Sequence, residues 1–387
     1  MFENSNIDFK ILRQRAFNLR WASVEEGVIP LTAADPDFQC CEKISASISD
    51  YSQSRYFCYG DPEGKVEFKN AISNFHDTKR GVRYHSSNIL PVESAAYGIY
   101  LTCKTILSIG DQAIIFNPVD FLFKHSIEAV GGQAVAFPIH PGHAEVDFDK
   151  LESLINVRTK LICLCNPLNP TGKVFSYNEL KKLGEIADRY NLFILSDEIW
   201  SDIVFEPVKY TSIASINEEI KNRTIIVTGY SKSYGLAGLR VGAVLCPTIE
   251  IFKSILNNSL HNSTIHGVSV LSQIAATTAL NDCQEWLNNF VIHLTKMRDF
   301  SVEKINSIPG LSCISPEGCY VLFINISQTG FTSDEIYQFL LNKGKVAVVP
   351  GLSQWFGDQA EGYIRISFAT SEKVLSEAFD RIKNTLN

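Results

Sequence analysis

Five short runs of continuous apolar sequence limit what this chain can fold into: DQAIIFNP (111–118), QAVAFPI (133–139), KLICLCNP (160–167), NLFILSDE (191–198) and RTIIVTG (223–229). Each has a stretch of about five apolar residues, too short for a buried helix, with no polar alternation, so each reads as a strand covered on both faces. Between two of them lies FSYNELKKLGEIADRYN (175–191). There Ser176 and Glu179 have the spacing of a capping box, and Leu180, Leu183, Ile186, Ala187 and Tyr190 make one apolar helical face. Strands that alternate with amphipathic helices, and are apolar throughout, predict an α/β unit with a mostly parallel sheet flanked by helices.

The last third reads differently. PEGCYVLFINIS (316–327) and GYIRISFAT (362–370) predict strands, with helical stretches at TSDEIYQFLLNKG (332–344) and SEKVLSEAFDRIKNTL (371–386). This predicts a smaller α+β domain. The expected division is a large domain over 46–270 and a small domain joining 1–45 to 271–387, in keeping with a chain of 387 residues.

Composition removes several classes of function. Hydrophobic residues make up 45% and charged residues 20%, which argues against disorder. The formal charge of −7, with no long Lys/Arg run, speaks against a nucleic-acid partner. No apolar stretch reaches the roughly 18 residues a membrane span needs, and MFENSNIDFKILRQRAFNLRW (1–21) holds no apolar leader core. A cytoplasmic protein is expected. The ten cysteines form no C-x-x-C and no disulfide framework, so reduced, mostly buried thiols are expected. HPGH (140–143) has Pro and Gly between its histidines and no Cys/His cluster to complete it, so no metal is expected.

The chemistry sits where the predicted strands end. Ligands of open α/β sheets bind beyond the carboxyl ends of the strands. Asp197 follows one strand, Asn166 and Asn169 follow another in NPLNPTG, Lys232 follows a third, and Ser94 opens the helical stretch AAYGIYLTCKTIL (95–107). Each has a plain alternative as a helix cap, a turn residue before Pro170 or a solvated lysine. Together they offer an acid, an amide, an amine and a helix N-terminus. That set suits pyridoxal 5′-phosphate (PLP): a lysine forms the Schiff base, a carboxylate keeps the pyridine nitrogen protonated, an amide tunes the phenolic oxygen, and helix amides with an arginine hold the phosphate.

Here the sequence resembles a family. Over nearly the whole chain it is similar to fold-type I PLP enzymes of the class I/II aminotransferase group. The segment SKSYGLAGLRVG (231–242) resembles the family signature, in which Arg240 follows Lys232 by eight positions, with NPLNPTG and SDE upstream in the family's order. The resemblance implies that Lys232 bonds to PLP, with Ser231 beside it, and that Arg240 clamps its phosphate. It further implies that Asp197 faces the pyridine nitrogen and Asn169 the ring hydroxyl. Ser94, Ala95 and Ala96 of ESAAYG would cradle the phosphate. Tyr59 of YGDPEG would reach the phosphate of a neighbouring subunit, which implies a homodimer with shared active sites. Arg365 of YIRISFA would bind the substrate α-carboxylate, with Ala34 near it and Asn169 also on the substrate side.

The sequence departs from the family's pattern at three places. Gly229 stands where a phosphate-binding serine is common, Trp200 where many members have tyrosine, and Asp120 where an aromatic stacks on the ring, with Phe121 next to it as the expected substitute. Trp cannot accept a hydrogen bond from the cofactor's surroundings.

The resemblance leaves the reaction open between two outcomes. An aminotransferase moves an amino group from an L-amino acid to a 2-oxo acid, and GLAGLRVG favours it. A PLP-dependent β C–S lyase of the cystathionine β-lyase kind is the alternative, because IPLTAADPDF (29–38) resembles the entrance segment of those enzymes. A non-catalytic PLP-binding sensor is a remote third reading, since no helix-turn-helix pattern is present. In the family the chain resembles, dicarboxylate-specific members often use an extra cationic residue from the partner subunit. Between Arg240 and Lys296 the only Lys or Arg is Lys253, so the resemblance mildly disfavours aspartate or glutamate as the best donor, and Trp200, Tyr230 and Phe38 could line a pocket for an aromatic, long or thioether side chain.

Overall fold

The computed structural model describes residues 1–142 and 145–387. In chain order its strands are β1 (Ile29–Pro30), β2 (Ile89–Val92), β3 (Gln112–Asn117), β4 (Gln133–Pro138), β5 (Thr159–Cys165), β6 (Phe193–Asp197), β7 (Thr224–Gly229), β8 (Gly242–Leu245), β9 (Ser312–Cys313), β10 (Val321–Asn325), β11 (Val346–Ala347), β12 (Val349–Pro350) and β13 (Tyr363–Ser367). All five apolar runs of the sequence are strands of one sheet, ordered β2-β8-β7-β6-β5-β3-β4. β4, β3, β5, β6 and β7 run parallel, and β8 is antiparallel to both β7 and β2. The central strands are buried along their length apart from isolated positions, as continuous apolar sequence requires of a sheet covered on both sides.

The helices carry the start signals the sequence announces. Tyr177–Arg189 begins with the predicted capping box: Ser176 accepts from the Glu179 amide, and the Glu179 carboxylate accepts from the Ser176 amide at 2.8 Å. Ser94 caps Ala95–Ile106 by accepting from the Tyr97 amide at 3.1 Å. Helices pack on the sheet and bury a core that includes Leu164, Ile194, Val227 and Val244.

The later part of the chain builds an antiparallel sheet ordered β12-β13-β10-β9, closed by the helix Glu372–Leu386. The early chain does not stand apart from it. β1 pairs in parallel with β11, joining Ile29 to Val346 and Pro30 to Ala347. Thus the residues just after β1 run between the two sheets. Among the described residues no helix is long and apolar enough to cross a membrane, and no three His, Cys, Asp or Glu gather as metal ligands. His140 accepts from the Gly142 amide at 2.9 Å and closes a turn, while His143 lies outside the described residues.

Candidate active site

Parallel strands end together, so the residues after them meet. β6 ends in Asp197, β7 leads to Ser231 and Lys232, and the loop after β5 carries Asn169. These residues line one cavity of about 240 Å³ with Asp120, Arg365 and Trp200. Its other end is formed by Ser94, Ala95, Ala96, Gly229 and Arg240. Residues from six separated segments of sequence thus converge, as their places after the strands predict.

Lys232 donates from Nζ to the Ala34 carbonyl at 2.7 Å, and Trp200 lies 5.3 Å from the amine by its ring centre. The hydroxyl of the buried Tyr320 donates to the same carbonyl at 3.2 Å. Burial pulls the Lys232 amine below its ordinary value, opposed by the carboxylate of Asp35 and joined by the charge of Arg365. This lowers the cost of losing the proton, in the direction that nucleophilic and proton-abstracting chemistry needs.

Asp197 is buried, and burial pushes its carboxyl up to about 7. The Ile199 amide, at 3.1 Å from Oδ1, opposes this, while the carboxylates of Asp120 and Glu198 add to it. A buried acid of this kind is short of a counter-charge. A cationic ring nitrogen placed against it would supply one and return it to the carboxylate.

A connected chain of side chains forms the third wall. Asn169 donates from Nδ2 to Asp120 Oδ2 at 2.9 Å, and Arg365 donates from Nη1 to Asn169 Oδ1 at 3.1 Å. Arg365 Nη2 donates to the Thr32 carbonyl at 3.1 Å. Its Nε is buried with no partner among the described residues. The stretch Thr32–Ala34, which follows β1, therefore touches both Arg365 and Lys232.

At the opposite end the helix Ala95–Ile106 presents the amides of its first turn, of which Ser94 at the cap takes that of Tyr97. A Cβ on Gly242 would lie 2.5 Å from the Thr228 carbonyl oxygen and 2.9 Å from the Ala95 amide nitrogen, so only glycine fits beside that helix start. Arg240 adopts a left-handed backbone with φ 50 and is exposed at the rim.

Two expected residues lie elsewhere. Phe121 does not line this cavity. The turn into the helix Leu122–Ala129 directs Asp120, Leu122 and Phe123 to it and sends Phe121 to the other side. The Phe121 ring packs edge-to-face on Trp355 at 5.5 Å instead, which corrects its expected place on the cofactor ring. Tyr59 is 88% exposed, 5.2 Å from the His266 ring and outside the cavity of its own chain. Sequence reasoning missed Tyr320, the pairing of Asp120 with Asn169, and Glu93, whose Oε2 is buried without a partner among the described residues. The adjacent strand CYVLFIN gave a signal for Tyr320 only as a core residue.

The sequence profile of Aminotransferase class I and II matches residues 26–382. The chain belongs to that family. The aspartate aminotransferase of Bacillus subtilis (strain 168) is 31% identical over 362 residues, covering 92% of this aminotransferase and 90% of its relative. A PLP-bound protein of Clostridium difficile 630, assigned as an aminotransferase, has a TM-score of 0.91 at 29% identity and 99% coverage of each chain. The aromatic aminotransferase of Pyrococcus horikoshii OT3 has a TM-score of 0.87 at 26% identity, covering 95% of this chain and 97% of that one. The cofactor of this aminotransferase is PLP. The cavity fits it chemically: an amine with a lowered proton affinity, a buried acid awaiting a cation, and a helix N-terminus at Ser94–Ala96 lining the same cavity as Arg240.

Proposed function

We propose that this PLP-dependent aminotransferase works through Lys232 as nucleophile and base, with Asp197, Asn169 and Arg365 as its fixed frame. The observation that carries the reading is the convergence of all four on one cavity, with the Lys232 amine held by the Ala34 carbonyl. Asp197 would face the pyridine nitrogen and Asn169 the ring hydroxyl. Ser94, Ala95, Ala96, Ser231 and Arg240 would hold the phosphate. Bound there, PLP supplies an electron-withdrawing ring that spreads the charge left at the substrate Cα. Arg365 receives the α-carboxylate through a charge-assisted pair and so fixes the Cα–H direction. Lys232 Nζ would take the α-proton and return it on the far side of the substrate nitrogen, so that the amino group stays behind when water releases the 2-oxo acid. Trp200 beside the amine shields it from water without taking a proton from it.

A homodimer is part of the same proposal. Tyr56, Phe57 and Tyr59 form a run of exposed aromatics, at 75%, 64% and 88% exposure, and Leu260 and Ile265 are exposed apolar residues of the helical stretch that precedes His266. An apolar strip of this kind suits a second copy, into whose cavity Tyr59 would reach. The proposal keeps a large unit over 46–270 and a small one of 1–45 with 271–387; the β1–β11 pairing supports the joining of the early chain to the late one. Ten unpaired cysteines suit a reducing cytoplasm.

The test uses PLP-loaded protein and a panel of L-amino acids, including L-cystathionine, without a keto-acid acceptor. One equivalent of 2-oxo acid per site and no ammonia is expected, lost in Lys232→Ala. Continuous release of pyruvate with ammonia from L-cystathionine would replace transamination with β-elimination.

A further inference from the structure

The Lys232 cavity does not end at Arg365. Asp120 and Arg365 also line a second cleft of about 480 Å³, twice the size of the first. Its walls include Phe121, Trp355, Phe356, Tyr337 and Val348. The Phe121 and Trp355 rings meet edge-to-face at 5.5 Å and 75°, and the Arg365 guanidinium lies 5.1 Å from the Phe356 ring centre. Trp355 is 39% exposed and Asp334 is exposed, so the cleft opens to solvent at that end.

The charges of this cleft are unlike those of a site for two carboxylates. Among its described lining residues Arg365 is the one Lys or Arg, while Asp120 and Asp334 are both acids. Arg365 already donates to Asn169 and Thr32, and an α-carboxylate would complete it. A distal carboxylate entering the cleft would then meet Asp120 at the threshold and no second Lys or Arg among the described lining residues. Asp120 is fixed in place, since the Leu122 amide donates to Oδ1 at 3.3 Å and Asn169 to Oδ2. An aromatic side chain meets a different surface: apolar walls and ring edges that favour a T-shaped contact.

We propose that the second cleft receives the side chain of the amino donor, that its substrates carry bulky aromatic side chains, and that Asp120 at its threshold selects against dicarboxylic amino acids. This rests on Arg365 holding the α-carboxylate, as in the proposed function. Asp120 is a specificity residue in this proposal and takes no proton from the substrate.

The test has two arms on the PLP-loaded protein. The first follows the cofactor absorbance in single-turnover half-reactions with L-phenylalanine, L-alanine, L-ornithine and L-aspartate. The second measures binding of 3-phenylpropanoate and succinate by calorimetry, which requires no chemistry. Phenylalanine is expected to exceed aspartate in kcat/KM by at least about 100-fold, and 3-phenylpropanoate to bind at least about tenfold tighter than succinate. In Asp120→Asn the phenylalanine-to-aspartate ratio is expected to shrink about tenfold, mainly through gain on aspartate. In Trp355→Ala the phenylalanine-to-alanine ratio is expected to fall about tenfold. A preference for aspartate or ornithine over phenylalanine in the wild type, or tighter binding of succinate, would overturn the proposal. Should Asp120→Asn fail to fold, the wild-type binding arm still decides. Conversion of no amino acid, with 3-phenylpropanoate still bound ahead of succinate, would support the cleft's selectivity and overturn the aminotransferase reading instead.

Discussion

Gly229 is the position where one added atom group tests the phosphate site. It ends β7 and lines the cavity beside the helix start at Ser94. A Cβ built there meets nothing closer than Ile199 Cδ1 and the Val241 carbonyl oxygen, both at 3.5 Å, and it lies 3.7 Å from Ala95 Cβ. These are ordinary contacts, and Gly229 is not among the glycines with positive φ, so Gly229→Ser adds no strain. Its hydroxyl would stand next to the first turn of the helix, within reach of an anion bound there. A hydrogen bond to a charged group contributes about 1.5–3 kcal/mol. At about 1.4 kcal/mol per decade that is roughly tenfold to a hundredfold tighter PLP binding. The assay is titration of the cofactor-free protein with PLP, read by absorbance, with pyridoxal as the control that lacks phosphate. The gain is expected for PLP and not for pyridoxal. An unchanged or weakened PLP affinity in a folded Gly229→Ser protein, or an equal gain for pyridoxal, would refute the placement of the phosphate at this end.

Further predictions concern the acid and the second subunit. Asp197 has a folded value of about 7 against an ordinary value of 3.8, a difference of roughly three pH units. Because the folded value is raised, the protonated acid favours the fold. The cofactor-free protein should therefore lose stability as pH rises from about 4 to about 7, by on the order of 4 kcal/mol at most. Denaturant unfolding of the cofactor-free protein at pH 5 and pH 7.5 measures this slope. Asp197→Asn should flatten it, and an unchanged slope would remove Asp197 as its source. If Tyr59 serves a second copy, Tyr59→Ala and Lys232→Ala proteins, each impaired alone, should regain activity when unfolded and refolded together. Mixed dimers would then carry one site with both wild-type residues, giving up to about a quarter of wild-type activity in a statistical mixture. Recovery no greater than the sum of the separate proteins would place Tyr59 outside the site.

Most of the large sheet and much of the cavity are legible in the order of residues along the chain. Continuous apolar runs specify both the strands and their burial, and the order of polar residues after them specifies which would meet. Ser176 with Glu179 announces a helix start that the structure reproduces bond for bond. What the chain order does not carry is direction at irregular turns. Phe121 and Asp120 are neighbours in sequence, and only the turn into Leu122–Ala129 decides that the acid enters the cavity and the ring leaves it. Nor does it carry contacts between distant segments. The Tyr320 hydroxyl reaches a carbonyl 286 positions away, a meeting that depends on where β10 lies relative to the stretch after β1. The Asp120–Asn169–Arg365 chain likewise needs the registers of two sheets at once.

The Ala34 carbonyl, with its two donors, has a consequence for how the enzyme comes into being on the ribosome. Ala34, whose carbonyl accepts from the Lys232 amine, is made early, and Tyr320 and Arg365 are made late. The sheet that presents Lys232 is complete once residue 245 has emerged, well before either of them. During that interval the nascent chain carries Asp197 and Lys232 at the strand ends without Tyr320 and Arg365, the later partners of the Thr32–Ala34 stretch. A translation product that stops before β13 would therefore lack the Arg365 end of the Asp120–Asn169–Arg365 chain, although every strand of the large sheet is present.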